Sequence, residues 1–154
     1  MKVEIYTDGS CRGNPGTGGW GAVVMREGKQ INYAGHEEYT TNQKMELTAA
    51  IEGLKLAGEV DPFDDIIIYT DSAYLHNCWL QGWWKKWQYN GWVNSKKEPV
   101  ANQDLWEQLI PWFKDSNFSI VKVKGHSSNK YNNVADLLAT GALKPGEVND
   151  PITW

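Results

Sequence analysis

The spacing of apolar residues alternates along this chain between two periods, and the order in which they come leaves few folds open. Lys2–Asp8 alternates Val3, Ile5 and Thr7 against Glu4 and Tyr6, which is strand spacing. Asn42–Ala57 switches to helical period, with Leu47, Ala50, Ile51, Leu54 and Ala57 forming one apolar stripe. Ile66–Tyr69 is then a short continuous apolar run, the mark of a strand covered on both faces.

The rest of the chain fits around this frame. Trp20–Arg26 and Gln30–Tyr39 read as two more strands, joined as a hairpin by Glu27-Gly28-Lys29. Gly9–Gly19 holds five glycines with Asn14 and Pro15 and reads as loop. Ser72–Trp84 and Asn102–Ser116 read as helices. The second turns Leu105, Trp106, Leu109, Ile110 and Phe113 inward, and Pro111 should bend or break it. Phe118–Lys124 alternates as a strand, and Asn133–Ala142 is a helix ending near Gly141. The order β-β-β-α-β-α-α-β-α implies an α/β fold: a mixed five-stranded sheet with an antiparallel hairpin edge and parallel strands joined by helices. Lys144–Trp154 has two prolines and no period, and takes no assignment.

Composition excludes several classes. At 154 residues the chain is one domain's worth of polypeptide. Its 12% aromatic content and mixed charge exclude intrinsic disorder. No apolar run approaches the roughly 20 residues of a spanning helix. Met1-Lys2-Val3-Glu4 puts charge where a signal peptide needs apolar residues, so a cytoplasmic location is expected. Cys11 and Cys78 are too few for a disulfide framework and read as reduced and structural. A net charge of −4, taken alone, argues mildly against a polyanionic partner. His36 and His76 have no evident partners and read as surface residues.

Acidic residues at strand ends carry the chemistry. Asp8 ends the first strand and Asp71 the buried one. Parallel neighbours bring their carboxyl ends to one edge, where ligands bind in such sheets. Glu46 lies near the start of the intervening helix, on the flank of its stripe, and can face the sheet. Asp136 falls in the first turn of the last helix. Two carboxylates about 4 Å apart repel by about 4 kcal/mol at an effective dielectric of 20, so several share a site only if protonated or metal-bound. All-oxygen ligands suit Mg²⁺ or Mn²⁺, and two such ions would stabilise both oxygens of a phosphodiester displacement. Each acid also has a purely structural use. Asp8-Gly9 suits a turn, Asp71-Ser72 a helix cap, and Asp136 a favourable first-turn charge. Their joint occurrence beside His126 is what those uses leave unexplained.

Gly16-Thr17-Gly18-Gly19-Trp20-Gly21 satisfies G-x-G-x-x-G but runs into a strand rather than a helix, so no nucleotide cofactor is expected. Nine tryptophans are the other anomaly. Five of them, Trp79, Trp83, Trp84, Trp87 and Trp92, interleave with Lys85, Lys86, Lys96 and Lys97, and no acid occurs from Trp79 to Lys97. Lysines track phosphates and indoles stack on bases or pack on sugars. Trp84 or Trp87 should be structural, with at least one other tryptophan exposed.

These stretches resemble type I ribonuclease H of the bacterial, stand-alone kind, up to about Leu143. The resemblance lies in Tyr6-Thr7-Asp8-Gly9-Ser10 with Gly13-Asn14-Pro15-Gly16, in Thr41-Asn42-Gln43-Lys44-Met45-Glu46-Leu47, and in Tyr69-Thr70-Asp71-Ser72-Ala73-Tyr74. It continues through Lys97-Glu98-Pro99-Val100-Ala101-Asn102-Gln103-Asp104-Leu105-Trp106, Val123-Lys124-Gly125-His126 and Ala135-Asp136. It implies a ribonuclease H-like fold over residues 1–143, a basic handle at about 79–100, and a C-terminal tail at 144–154. The implied activity is hydrolysis of the RNA strand of RNA–DNA hybrids with two Mg²⁺ ions, Mn²⁺ substituting, leaving 5′-phosphate and 3′-hydroxyl ends, by a monomer.

By position, Asp8 resembles the carboxylate bridging both metals, Glu46 and Asp71 ligands of one, and Asp136 of the other. His126 is similar to the histidine that assists proton transfer and product release. Asn14, Gln43 and Glu46 match positions around the RNA strand's 2′-hydroxyls, and Asn42 beside Gln43 is expected to bind substrate. Thr41 and Asn102 resemble a DNA-phosphate pocket, and Tyr74 and Trp83 the floor under the DNA sugars. Lys85 and Lys86 belong to the handle. Tyr39 stands where an arginine is often found, and Asn133 and Leu137 stand where acids often flank the last aspartate. One extra residue precedes Trp83. Two other readings stay open: a DNA nuclease on the same fold, and a non-catalytic module binding nucleic acid through its tryptophans.

Overall fold

The structure, a computed structural model, describes residues 1–58, 63–124 and 129–143. Five strands form one sheet: β1 (Lys2–Gly13), β2 (Gly16–Arg26), β3 (Lys29–Thr40), β4 (Asp65–Thr70) and β5 (Phe118–Lys122). Their order is β3-β2-β1-β4-β5, with β1–β2 and β2–β3 antiparallel and β1–β4 and β4–β5 parallel. The mixed sheet with its antiparallel edge is therefore as expected. Glu27 and Gly28 both sit at positive φ in the two-residue turn between β2 and β3, the turn that matches strand twist.

The helices are α1 (Asn42–Ala57), α2 (Ala73–Gln81), α3 (Trp83–Asn90), α4 (Gln103–Phe113) and α5 (Lys130–Thr140). One face of the sheet packs Val3, Ile5, Ile66 and Ile68 against the α1 stripe and against Trp106 and Leu109 of α4. The other packs Tyr6 and Val23 against Val134, Ala135 and Leu138 of α5. No helix among the described residues is long and apolar enough to cross a membrane.

Several expectations need correction. Gly9–Gly19 is not a loop: β1 runs on to Gly13 and β2 starts at Gly16. Gly9 and Gly19 there serve close packing of helices onto strands. A Cβ on Gly9 would lie 2.5 Å from the backbone nitrogen of Glu46, and one on Gly19 would meet the carbonyl of Ala139. The helix expected over Ser72–Trp84 stops at Gln81, because Gly82 takes the left-handed conformation, and α3 restarts the chain in a new direction. Pro111 stays inside the last turn of α4, where it removes only the bond to the carbonyl of exposed Glu107. α5 begins three residues early, capped by Asn129, so Asp136 lies in its second turn rather than its first. β4 is fully buried on one face, at Ile66 and Ile68, and half-buried on the other.

The tryptophans also depart from expectation. Trp84 and Trp87 are both buried, but Trp79, Trp83 and Trp92 are half-buried against the core, so none of the five is exposed. Trp87 is the hub, with ring centroids 5.7 Å from both Trp92 and Trp106 and 6.4 Å from Trp83. The cluster roots the handle on the main core. The exposed aromatic there is Tyr89. His36 is exposed as expected, whereas His76 is half-buried, its ring 6.1 Å from Trp79 and its Nδ1 buried without a hydrogen bond. Both cysteines are free, and burial pushes the Cys78 thiol up to about 12.

Candidate active site

Three acids meet where the parallel pairing of β1 and β4 ends. The last pair is Tyr6↔Tyr69, and Asp8 and Asp71 each lie two residues beyond it. β1 continues past Asp8, so this aspartate ends the parallel ladder rather than the strand. Glu46 enters from α1, whose start is fixed by two caps. Thr41 Oγ1 accepts the Lys44 N–H at 3.1 Å, and Asn14 Oδ1 accepts the Asn42 N–H at 2.9 Å. Because Gly9 lacks a side chain, the first turns of α1 press directly onto β1 beside Asp8.

Carboxylate oxygens of Asp8, Glu46 and Asp71 all lie within 4.8 Å of one another. Asp8 and Glu46 are buried and Asp71 is exposed. Asp136 approaches from α5 and shares a hydrogen bond with the Asp8 carboxyl. Burial holds Asp8 well above the usual carboxylate range, reinforced by the charge of Glu46, by that bond, and by Asp71. Burial, with the charge of Asp71, pushes Glu46 up to about 8, against opposing bonds from the Gly9 N–H and the Thr70 hydroxyl. Glu46 Oε2 nevertheless remains buried with no hydrogen-bond partner.

Acids that cannot all ionise in water-poor surroundings, one with an orphaned oxygen, fit a divalent cation. The donors are all oxygen, with no thiolate or imidazole among the clustered groups, which selects a hard ion. The acids line a cleft of about 490 Å³ that also takes in Asn42, Gln43, Tyr74, Asn132 and Asn133.

Of the other sequence-derived residues that the structure describes, Asn14, Thr41, Trp83, Lys85, Lys86 and Asn102 do not line this cleft. Asn14 and Thr41 cap α1. Asn102 precedes α4 at positive φ, with no side-chain cap bond. Trp83 Nε1 donates to Gln81 Oε1 at 3.1 Å. Lys85 Nζ lies 5.5 Å from the Trp84 ring centroid, and Lys86 is exposed. His126 and the tail at 144–154 lie outside the described residues. Tyr74 is fixed by Trp106, whose Nε1 donates to its hydroxyl at 3.2 Å. Sequence reasoning missed Thr70, which bonds Glu46, and Asn132, which reads as preceding the last helix but stands within it. Its four-residue spacing from Asp136 is the signal that could have found it.

Comparison with known proteins identifies the family. The RNase H family model matches residues 1–144. The chain is 51% identical over 142 residues to the ribonuclease H of Caldanaerobacter subterraneus subsp. tengcongensis, covering 92% of this chain and 91% of that protein. Among solved structures it resembles LC9-RNase H1, described as a type 1 RNase H with the type 2 active-site motif. That match has a TM-score of 0.75 and 26% identity, over 98% of this chain and 78% of the other. It also resembles LC11-RNase H1, solved in complex with RNA/DNA hybrid, with a TM-score of 0.62 and 28% identity over 90% and 94% of the two chains. With acids on β1, α1, β4 and α5 at one cleft and the match running through all of them, the chain belongs to the ribonuclease H family.

Proposed function

We propose that the chain is an endoribonuclease that hydrolyses the RNA strand of RNA–DNA hybrids, leaving 5′-phosphate and 3′-hydroxyl ends, with residues 1–143 as its nuclease domain. The observation that carries this reading is the meeting of Asp8, Glu46 and Asp71 within 4.8 Å, with Glu46 Oε2 orphaned. Hybrid as substrate is supported by the LC11-RNase H1 complex, a protein of the same fold.

Asp8, Glu46, Asp71 and Asp136 would hold two Mg²⁺ ions, Mn²⁺ substituting. When bound, these supply charge neutralisation at the scissile phosphate and activation of water. The chain's own groups do the rest. Burial of Asp8 and Glu46 keeps their oxygens oriented and excludes competing water. Asn14, in the β1–β2 turn, and Gln43 and Glu46 of α1 read the 2′-hydroxyls that separate RNA from DNA, with Asn42 also binding substrate. Thr41 and Asn102 take a DNA phosphate, and Tyr74 and Trp83 floor the path of the DNA sugars. Lys85 and Lys86 present charge from the handle. His126 moves a proton during leaving-group departure and assists product release. The enzyme acts as a cytoplasmic monomer.

The test is cleavage of a hybrid, a double-stranded RNA and a double-stranded DNA of one sequence, with and without Mg²⁺. Cleavage of the hybrid's RNA strand alone, and only with the cation, is expected. Preferential cleavage of duplex DNA would favour a DNA nuclease on this fold. No cleavage of any duplex would favour a binding module.

A further inference from the structure

We propose that Asn132 is a positioning residue for the Asp136 side of the acid cluster, its side-chain oxygen accepting a hydrogen bond from water in a divalent ion's hydration shell. This rests on the metal-dependent reading above. Asn132 stands one helical turn before Asp136 on the same face of α5, and both line the cleft. Its backbone N–H is spent on Asn129 Oδ1 at 3.1 Å. Its side-chain Nδ2 reaches the carbonyl of Tyr69 at 3.5 Å, which also accepts from Thr7 Oγ1 at 3.4 Å.

One amide thus links α5, which carries Asp136, to β4, which leads into Asp71. The bond is long and makes a weak tether, so tethering alone does not account for an amide here. The other half of the group is more informative. Asn132 Oδ1 is buried with no hydrogen-bond partner, and the acids lining the same cleft, once ionised, accept and cannot donate to it. A hard cation keeps several of its waters, and cation-bound water is a strong donor. A neutral amide supplies the acceptor without adding a further negative charge to a cluster that already repels itself. Outer acceptors of this kind hold a hydrated ion in one orientation, and their loss typically weakens metal affinity or activity 10- to 100-fold.

The experiment titrates Mn²⁺ into the full-length protein by calorimetry, for wild type, Asn132→Leu and Asn132→Asp. The leucine removes both amide functions at similar size, and the aspartate keeps the acceptor. The Mn²⁺ dissociation constant should rise about tenfold in the leucine variant and stay within about threefold of wild type, or fall, in the aspartate variant. The KM for hybrid at saturating Mg²⁺ should change less than about twofold in both. Asn132→Ala replaces the leucine variant if that fails to fold, with the same expectation. Unchanged Mn²⁺ binding in the leucine variant, or equal weakening in the aspartate variant, overturns the role of Asn132 alone. A wild-type chain that binds no Mn²⁺ overturns the metal reading beneath it.

Discussion

Asp8 stands directly opposite Gly21 across the β1–β2 ladder. A Cβ on Gly21 would lie 2.6 Å from Leu138 Cβ and would also meet the carbonyl of Ala135, the residue before Asp136. The bare backbone at Gly21 therefore lets α5 seat against the sheet at the level of Asp8. Gly9 does the same for α1 on the other side, beside Glu46. The acid-bearing helices are set by two glycines flanking one aspartate.

Gly21→Ala should push α5 outward. Overpacking of this kind costs about 1–3 kcal/mol, to be read from urea unfolding. The kcat on hybrid should fall while KM changes little, because Asp136 is displaced and the substrate-facing start of α1 is not. A variant with wild-type stability and kcat would show that the close approach is dispensable.

The acid cluster gives metal-free stability a definite pH slope. Asp8 and Glu46 have folded pKa values above their unfolded ones, with Glu46 near 8 against an ordinary 4.5. Their contribution is fully present below the unfolded value and is lost as pH rises through the folded one. With EDTA present, Tm should fall between about pH 4.5 and 8. Asp8→Asn should flatten that fall and leave the variant more stable than wild type at pH 8, by more than about 1 kcal/mol. A wild-type Tm that rises over this window would contradict the assignment.

Divalent ions should act on the same window. Mg²⁺ stabilises only by binding ionised acids, so the Tm gained on adding it should be large at pH 8 and small at pH 5, where protons compete. Equal gains at both pH values would point to binding elsewhere.

The handle makes a separable contribution. Replacing Lys85, Lys86, Lys96 and Lys97 with Glu should raise KM more than it lowers kcat and should reduce the salt dependence of binding. An unchanged KM at moderate salt would reject it. Trp87→Ala should instead cost about 3–5 kcal/mol of stability, since that ring packs against Trp83, Trp92 and Trp106.

The sequence was legible where local signals agreed with packing. The span Asn42–Ala57 was readable because its apolar stripe points to one helix, to which the structure adds the Thr41 cap and the Gly58 stop. Asp8, Glu46 and Asp71 were readable because the ends of parallel strands converge at one edge. Gly9–Gly19 was not, because glycine signals a turn locally, whereas here its absent side chain is read by a helix far along the chain. Trp79, Trp83 and Trp92 misled for a related reason: lysines beside them imply an outward face, but their rings close onto Phe118 and Trp87. Asn132 had only its spacing from Asp136 to mark it, and the orphaned oxygen is a property of the folded site.

The most direct measurement is cleavage of an RNA–DNA hybrid in Mg²⁺ by wild type and by Asp8→Asn, with hybrid binding followed in parallel. Wild type should cut the RNA strand, while the variant should bind hybrid with near-wild-type affinity and cut nothing. Full cleavage by the variant would contradict the assignment of the four-acid cleft as the active site.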